Sequence, residues 1–426
     1  MATQKWDTSY EWKATTLLGL GFGLVGLDRW IIAPLLPSMA QDLGLTVQQA
    51  GNLIGALGLV WGVFAIISGR LSDSIGHRKI VIPSIILFSL MSGFSGMAGG
   101  FMSLLLVRGV MGLMEGSYCP TSFAATAAAA HPSRRGFLQG LQQSGFALFG
   151  FGLGPIIATQ LLLVVPSWRW VFWAVAIPGL IIGILMFFVL KEPQDTQGGA
   201  LVGEAPAGHG GGGTEGWGSV LKSKNIVLCM LALFCAMSCI FVLGGLLPTY
   251  LTDAPVMNKS LSPQQIGFIA SALGFGGFVG QFGVPGISDM LGRRLTAVIA
   301  FIGSAVTLYL FMQLGPTPTS LFVMLFLVSF FSLGNVALIT GPIATESAPL
   351  GLVSSAIGLV VGAGEIFGGG VAPIIAGWVG GNYGIQNILW MPLVGVLLGV
   401  VVTAFLTETA PSKVGVRTAQ PAAARH

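Results

Sequence analysis

Charged residues are scarce in this sequence. Of its 426 residues, 8% are Asp, Glu, Lys or Arg, whereas 54% are hydrophobic. An ordinary soluble domain carries about 25% charged residues, so this chain cannot form a normal water-exposed surface. The composition therefore excludes a soluble globular protein and indicates a chain that lies largely within a lipid bilayer.

Cysteine is also scarce, and its placement excludes two further classes. The four cysteines all lie in apolar stretches, at Cys119, Cys229, Cys235 and Cys239. Their spacing matches neither a metal site nor the disulfide framework of a secreted protein. We expect them to be small, buried side chains.

Other features of catalytic proteins are missing as well. The sequence has no phosphate-binding loop, and its apolar runs hold no nucleophile–base set. It predicts no enzyme activity, cofactor, metal, nucleotide or nucleic-acid partner. The first 13 residues are polar, and we expect no cleavable signal peptide.

The sequence does contain many apolar runs of about 20 residues, the length of helix that crosses roughly 30 Å of hydrocarbon. The runs are continuous rather than alternating, which favours helices over strands. Twelve spans are predicted, near 14–37, 48–68, 79–98, 102–126, 138–164, 168–190, 225–251, 263–286, 293–314, 318–342, 351–378 and 386–407.

A single long polar segment, 191–224, separates six spans from six. It contains the Gly-rich run GGALVGEAPAGHGGGG, which is typical of a flexible linker. We therefore predict a six-helix bundle over 1–190, a cytoplasmic linker over 191–224, and a second six-helix bundle with a short tail over 225–426.

The basic residues predict how the spans are oriented. If the N-terminus is cytoplasmic, 15 Lys and Arg side chains lie on that side, and the opposite side holds Arg169 and Lys259. This bias satisfies the positive-inside rule and accounts for the net charge of +4. We expect a multi-pass protein of the inner membrane with both termini in the cytoplasm.

The loops after the second and eighth spans repeat one pattern. GRLSDSIGHRK at 69–79 and PGISDMLGRR at 285–294 both read S-D-x-x-G followed by basic residues. A basic turn alone would satisfy the positive-inside rule, but its recurrence is typical of a transporter made of two related bundles. The predicted cytoplasmic gate comprises Gly69, Asp73, Gly76, Arg78, Asp289, Gly292 and Arg293.

This repeat resembles motif A of the major facilitator superfamily, and the resemblance extends over about 14–408. His77 departs from the motif at one basic position, and Pro285 stands in place of its first glycine. The resemblance implies an all-α integral membrane protein. Its twelve transmembrane helices would form two pseudo-symmetric bundles around a cavity that opens alternately to either side.

Two of the spans each contain a pair of ionised side chains away from their ends. Asp28 and Arg29 lie in the first span, and Arg108 and Glu115 lie in the fourth. A charge at bilayer depth costs at least about 2.5 kcal/mol, so these groups should face protein, water or a ligand. Because neighbours on a helix point about 100° apart, we expect Asp28 and Arg29 to find partners on other helices.

These charged stretches resemble the anion:cation symporter group of the same superfamily. The group commonly carries an Asp-Arg pair in its first span and the pattern R-x-x-x-G-x-x-E-x-x-x-x-P in its fourth. That pattern is matched here by Arg108, Gly112, Glu115 and Pro120.

The chemistry of these residues suits an organic anion. Arg29 and Arg108 are the two basic residues inside spans, and a guanidinium can replace the hydration of a carboxylate with paired hydrogen bonds. We predict that both bind substrate and that Asp28 and Glu115 carry protons. The alternative is that these four residues form static ion pairs.

Other polar groups are weaker candidates. Glu365, in the eleventh span, could be a proton site, a cavity ligand or only a group that joins helices by a hydrogen bond. Glu346 is expected to be solvated at the end of the tenth span. Several others could line the cavity or join helices by hydrogen bonds. They are Trp30, Gln142, Gln143, Tyr250, Gln281 and Asn335.

The sequence thus predicts a proton-coupled symporter that takes up a small organic anion as a monomer. Sugar acids, dicarboxylates and aromatic acids remain open as substrates. One alternative is a proton-driven efflux antiporter, because GFGLGP at 150–155 partly resembles the Gly-Pro signature of such proteins. Another is a sensor or receptor that retains the transporter fold.

Overall fold

A computed structural model describes residues 6–45, 47–192, 195–196, 216–253, 255–257 and 260–414, and within these ranges the chain forms helices and no strands. Most of the predicted linker, 191–224, lies outside the described residues. The division into domains at these boundaries therefore stays a prediction.

The first bundle contains eight helices because two of its spans are broken. They are α1 (Thr8–Trp30), α2 (Ile32–Leu43), α3 (Val47–Ile75), α4 (Arg78–Ser95), α5 (Phe101–Ala129), α6 (Arg135–Phe146), α7 (Gly154–Val164) and α8 (Trp168–Val189). The predicted first span covers α1 and part of α2, and the fifth covers α6 and α7.

The second half begins with a short helix and then repeats the pattern of long helices. The helices are α9 (Gly216–Lys222), α10 (Lys224–Asp253), α11 (Pro263–Leu291), α12 (Arg293–Met312), α13 (Pro318–Leu338), α14 (Ala344–Ser347), α15 (Val353–Ala363), α16 (Ala372–Tyr383), α17 (Trp390–Ala404) and α18 (Pro411–Val414).

Three spans contain a π-helical segment. These segments are Ala147–Leu153, Ile339–Ile343 and Gly364–Val371. In a π segment the backbone hydrogen bonds span five residues instead of four, which widens the helix, and such segments are frequent at functional sites. All three are rich in glycine or contain proline, and the third carries Glu365.

Hydropathy supports a membrane-spanning fold. Within the described residues, nine helices are long and apolar enough to cross a membrane, and a bent pair formed by 132–153 and 156–164 makes a tenth. The two remaining long helices, α1 and α5, are those that carry Asp28, Arg29, Arg108 and Glu115. The buried charges of α1 and α5 make the mean hydropathy of these two helices lower than that of the other spans.

The four cysteines are buried and unpaired within this helical core. The expectation that they are small buried side chains is therefore confirmed. Burial inside the bundles also separates them from the charged groups of the loops.

Candidate functional site

An ion pair joins the two bundles near the middle of the molecule. Arg29, at the end of α1, donates to both carboxylate oxygens of Glu365, at 3.1 and 3.0 Å. The two side chains are 9% and 5% exposed. Arg29 thus finds its partner on another helix, as the sequence predicted, although Glu365 was not identified as that partner.

Aromatic rings surround the Arg29 guanidinium. Its central carbon lies 4.6 Å from the ring centroid of Trp61, 5.1 Å from that of Phe241 and 6.0 Å from that of Trp30. Cation–π contacts of this kind hold the guanidinium when it is partly removed from water. The aromatic rings and the Glu365 carboxylate together therefore hold the cation in a fixed position.

Two cavities meet at this ion pair. The outer cavity has a volume of about 1840 Å³, including space open to solvent. Its lining includes Arg29, Trp30, Asn52, Phe101, Phe241 and Glu365. Arg29 and Trp30 lie at the end of α1, and Asn52 and Phe101 lie near the starts of α3 and α5. The outer cavity is therefore at the opposite helix ends from the S-D-x-x-G repeats.

The second cavity, which we call the central chamber, lies on the other side of Glu365. It holds about 530 Å³ by the same measure, and Glu365 and Phe241 line both cavities. Six of its lining residues are aromatic, namely Phe22, Trp61, Phe123, Phe146, Phe151 and Phe241. No pattern in the sequence distinguishes these six from the rest of its 27 phenylalanines and 10 tryptophans.

Arg108 is buried inside the first bundle, with 1% of its surface exposed. One of its terminal nitrogens donates to the backbone oxygen of Asp28 at 3.1 Å, and its guanidinium carbon lies 5.9 Å from the Phe172 ring. Its Nε and Nη2 have no hydrogen-bond partner among the described residues. Arg108 lines neither cavity in this arrangement, so its role as a substrate ligand stays a prediction.

The two predicted proton sites of the first bundle are also buried. The Asp28 carboxylate accepts a hydrogen bond from Ser92, on α4, at 2.8 Å. Within the described part of the chain, neither carboxylate oxygen of Glu115 has a partner. A buried carboxylate without partners is costly, which favours its protonated form or its use as a switchable group.

The remaining candidates divide between the cavities and the helix interfaces. Trp30 lines the outer cavity and packs on Phe151, with ring centroids 4.6 Å apart. Gln142 donates to Ser122 on a neighbouring helix at 3.1 Å. The last two, Asn335 and Tyr250, lie at helix contacts: Asn335 donates to Ala297 at 3.3 Å, and Tyr250 packs on Phe311.

At the helix ends that lie away from the outer cavity, a carboxylate of each bundle accepts hydrogen bonds from the first turn of a helix in the other bundle. Asp73 accepts hydrogen bonds from the backbone N–H groups of Ser354 and Ser355, at 2.8 and 2.7 Å. These residues begin α15, and the start of a helix carries partial positive charge. The first S-D-x-x-G copy thus binds the second bundle.

The second copy makes the reciprocal contact. Asp289 accepts from the backbone N–H groups of Gly136 and Phe137, at 3.2 and 3.0 Å, at the start of α6. The turn glycines Gly76 and Gly292 have φ values of +105° and +103°, which glycine adopts without strain. Both repeats therefore contact the opposite bundle through the same part of the motif.

The basic residues of the repeats act within their own bundles. Arg293 donates to Asp289 at 2.6 Å and to Glu346 at 2.8 and 3.1 Å. Glu346 is 6% exposed, so the expectation that it is solvated is wrong: its charge is balanced by a buried guanidinium. Arg78 instead donates to the backbone of Phe187.

Backbones of the two bundles touch at this face. A Cβ atom added to Gly69 would lie 2.3 Å from the backbone oxygen of Ser354, and one added to Gly140 would lie 2.1 Å from the backbone oxygen of Gln281. These distances leave no room for any side chain. The molecule is therefore closed at the face with the basic loops and has its large cavity at the opposite face.

The chain was compared with known proteins. The family model of the Major Facilitator Superfamily matches residues 18–258 and 253–425. The probable 4-methylmuconolactone transporter of Cupriavidus pinatubonensis is 28% identical over 369 residues, or 82% of this chain and 81% of that protein. The sialic acid transporter NanX of Escherichia coli is 27% identical over 409 residues, with 92% and 91% covered.

A third relative and two solved structures complete the comparison. The hexuronate transporter of Bacillus subtilis is 29% identical over 293 residues, with 66% of this chain and 67% of that protein covered. The E. coli fucose:proton symporter has a TM-score of 0.74 at 14% identity, with 92% and 98% covered. The proton:xylose symporter XylE also scores 0.74, at 18% identity, with 95% and 97% covered.

These relatives are transporters and not enzymes, in agreement with the expectation from the sequence. The solved structures share the arrangement of helices, which confirms the fold predicted from the apolar spans and the internal repeat. The chain belongs to the Major Facilitator Superfamily, and it is a multi-pass membrane protein with the fold of that family.

Proposed function

We propose that this protein is a proton-coupled symporter that takes up a small organic anion by alternating access. It would lie in the inner membrane with both termini in the cytoplasm. The observation that carries the proposal is the Arg29–Glu365 pair, which places a cation and an exchangeable carboxylate at the boundary of the outer cavity.

A substrate carboxylate can replace Glu365 on Arg29 because the two groups have the same chemistry. Each forms the paired, charge-assisted hydrogen bonds for which a guanidinium is suited. Once displaced, Glu365 would be a buried charge without a counter-ion, which costs about 3–5 kcal/mol. Uptake of a proton removes that cost, so the anion and a proton enter together.

Glu115 and Asp28 supply further proton sites in this proposal. Glu115 is fully buried with unpartnered oxygens, and Asp28 is held by Ser92 while its backbone oxygen accepts from Arg108. Protonation of either group changes the charge that surrounds Arg108. The buried charges of α1 and α5 can thereby respond to the side of the membrane that supplies the proton.

The closed face fits the same cycle. The contacts of Asp73 and Asp289 with helix starts of the opposite bundle close one face of the molecule. The outer cavity at the other face is therefore the open route to Arg29. The positive-inside rule assigns the basic loops to the cytoplasm, so the open side would be the periplasmic one. The names of the relatives, among them a hexuronate, a sialic acid and a galactonate transporter, support an acidic substrate.

Transport by protein in liposomes tests the proposal. With an inward proton gradient, we expect accumulation of at least one labelled acid from a set of D-glucuronate, D-galactonate, cis,cis-muconate and 4-hydroxybenzoate. Arg29→Gln should abolish it, whereas Glu365→Gln and Glu115→Gln should retain exchange but lose part or all of the gradient dependence. Protein-free liposomes correct for passive entry of the protonated acids.

Two results would contradict the proposal. Accumulation driven only by an outward proton gradient would identify an antiporter. Uptake of every acid at the wild-type level by Arg29→Gln would show that the outer cavity is not the anion site. Phe188→Ala, on a side chain 77% exposed, serves as the control for effects of substitution on reconstitution.

A further inference from the structure

The central chamber narrows the class of anion. We infer that the substrate is a carboxylate with a flat, apolar ring or unsaturated body, not a polyhydroxylated sugar acid. This inference rests on the proposed function, because it takes Arg29 as the group that binds the carboxylate. It concerns the part of the ligand that lies beyond Arg29, in the chamber lined by six aromatic rings.

Two aromatic rings connect Arg29 with the chamber. Trp61 and Phe241 contact the Arg29 guanidinium, and the same two rings line the chamber. Glu365 lines both cavities and occupies the guanidinium in the present structure. Arg29 itself lines the outer cavity, so a carboxylate that takes the place of Glu365 reaches the aromatic walls of the chamber when its remaining atoms extend past Glu365.

The chamber offers few groups to hydroxyls. Gln143 donates to the Ala337 oxygen at 3.3 Å and accepts from Thr340 at 2.8 Å, so these two polar side chains already have partners. Among the described lining residues, the Oε1 of Gln281 is a buried amide oxygen without a partner. This oxygen can accept at most two hydrogen bonds, whereas a sugar acid carries several hydroxyls that would lose their hydration.

The rings are arranged to receive another ring. Phe22 and Phe123 meet edge to face with centroids 4.9 Å apart, and Phe146 meets both Trp61 and Phe151 edge to face at 6.2 Å. This geometry presents both ring faces and ring edges, which are the surfaces that aromatic ligands prefer. Leu333 and Val336 complete an apolar wall.

Calorimetric binding to the full-length protein in detergent tests the inference with three probes. Benzoate is the aromatic acid, D-glucuronate is the hydroxylated acid, and benzamide matches benzoate in shape without its charge. We expect benzoate to bind at least about 100-fold more tightly than D-glucuronate, because a site without partners for hydroxyls rejects them. Benzamide should bind weakly, as should benzoate to Arg29→Gln.

A variant that adds one hydroxyl to the chamber lining tests whether the lack of hydrogen-bond partners causes the preference for benzoate. Val336→Thr keeps the side-chain volume and should narrow the preference for benzoate by about fivefold, since it gives a hydroxylated ligand one partner. The matched control is Val394→Thr, on a side chain 53% exposed, which should leave the preference unchanged. Val336 itself is 8% exposed and lines the chamber.

The outcomes separate this inference from the proposed function. Arg29-dependent binding of D-glucuronate that equals or exceeds that of benzoate would overturn the inference and leave an anion transporter. Binding of both acids that is unchanged in Arg29→Gln would overturn the proposed function as well. An equal effect of Val336→Thr and Val394→Thr would show that the chamber wall does not set the preference.

Discussion

His77 and Arg293 occupy the same position in the two copies of the S-D-x-x-G repeat, and both are buried, with 3% and 1% exposed. Arg293 has Asp289 and Glu346 as counter-ions. His77 instead contacts the Ser354 hydroxyl at 3.0 Å, and burial lowers its pKa to about 4. At neutral pH, His77 is uncharged and Arg293 is a cation at the equivalent place.

This difference predicts a loss of stability in acid. The pKa of histidine is about 6.5 in an unfolded chain, so the unfolded state binds a proton first as pH falls. The contribution of His77 is fully present above pH 6.5 and declines toward its folded pKa of about 4. We expect the wild type to lose about 2 kcal/mol more than His77→Gln between pH 7.5 and pH 5. Denaturation curves at both pH values measure this difference, and equal losses would contradict it.

The contacts of Asp73 and Asp289 predict how the closed face depends on charge. Replacing either with Asn removes the favourable charge at a helix start, at a cost of about 1 kcal/mol. The fraction of molecules in which this face is open should then increase in both variants. Hydrogen–deuterium exchange should rise at the starts of α6 and α15, while Asp42→Asn, at an acid that pairs with Arg169 elsewhere, should leave both unchanged. Unchanged exchange in the gate variants would show that these carboxylates do not hold the face closed.

The backbone contact at Gly140 makes a second prediction for this face. Ala at this position would place its Cβ 2.1 Å from the Gln281 oxygen, so the bundles cannot approach as they do here. We expect Gly140→Ala to open the face and to reduce transport at least about tenfold, as overpacking displaces the backbone. Gly267→Ala is the control, because its Cβ would meet open space on α11. Wild-type transport and exchange in Gly140→Ala would refute the closed state as part of the cycle.

The Arg29–Glu365 pair predicts a pH dependence of anion binding. If one proton enters with each anion, the affinity for the acid should fall as pH rises, by up to about tenfold per pH unit. Glu365→Gln should bind the same acid with little dependence on pH, because no carboxylate competes for Arg29. Calorimetry in two buffers of different ionisation enthalpy counts the proton directly. A proton uptake that persists in Glu365→Gln would assign the coupling to Glu115 or Asp28.

Much of the fold could be predicted because its cause is local. A run of apolar residues is a helix in hydrocarbon whatever surrounds it, since its backbone must be satisfied within the segment. The sequence therefore predicted the spans and the tight turns of the S-D-x-x-G repeats. It assigned Asp73 and Asp289 to a cytoplasmic gate but did not predict that each carboxylate binds a helix start of the opposite bundle. The helix breaks within spans were not predicted, because they depend on packing between helices rather than on composition.

The partners within the site could not be predicted for a physical reason. Arg29 and Glu365 are separated by 336 positions in the sequence, and their contact depends on how two bundles are placed against each other. The azimuth of each helix decides which of many phenylalanines faces the chamber, and periodicity is weak in helices that are apolar all round. For the same reason, the sequence could not decide whether Gln142, Tyr250 and Asn335 line the cavity or join helices. In the structure they lie at helix contacts.

The boundary between a wide outer cavity and a narrow central chamber has a pharmacological consequence. Consider an acid that binds Arg29 through its carboxylate but is too wide to enter the chamber. It would occupy the 1840 Å³ outer cavity and prevent that cavity from closing. Such a compound would be a competitive blocker from that side of the membrane and inactive from the other. Bulky analogues of a transported acid are therefore the natural starting point for sided inhibitors of this protein.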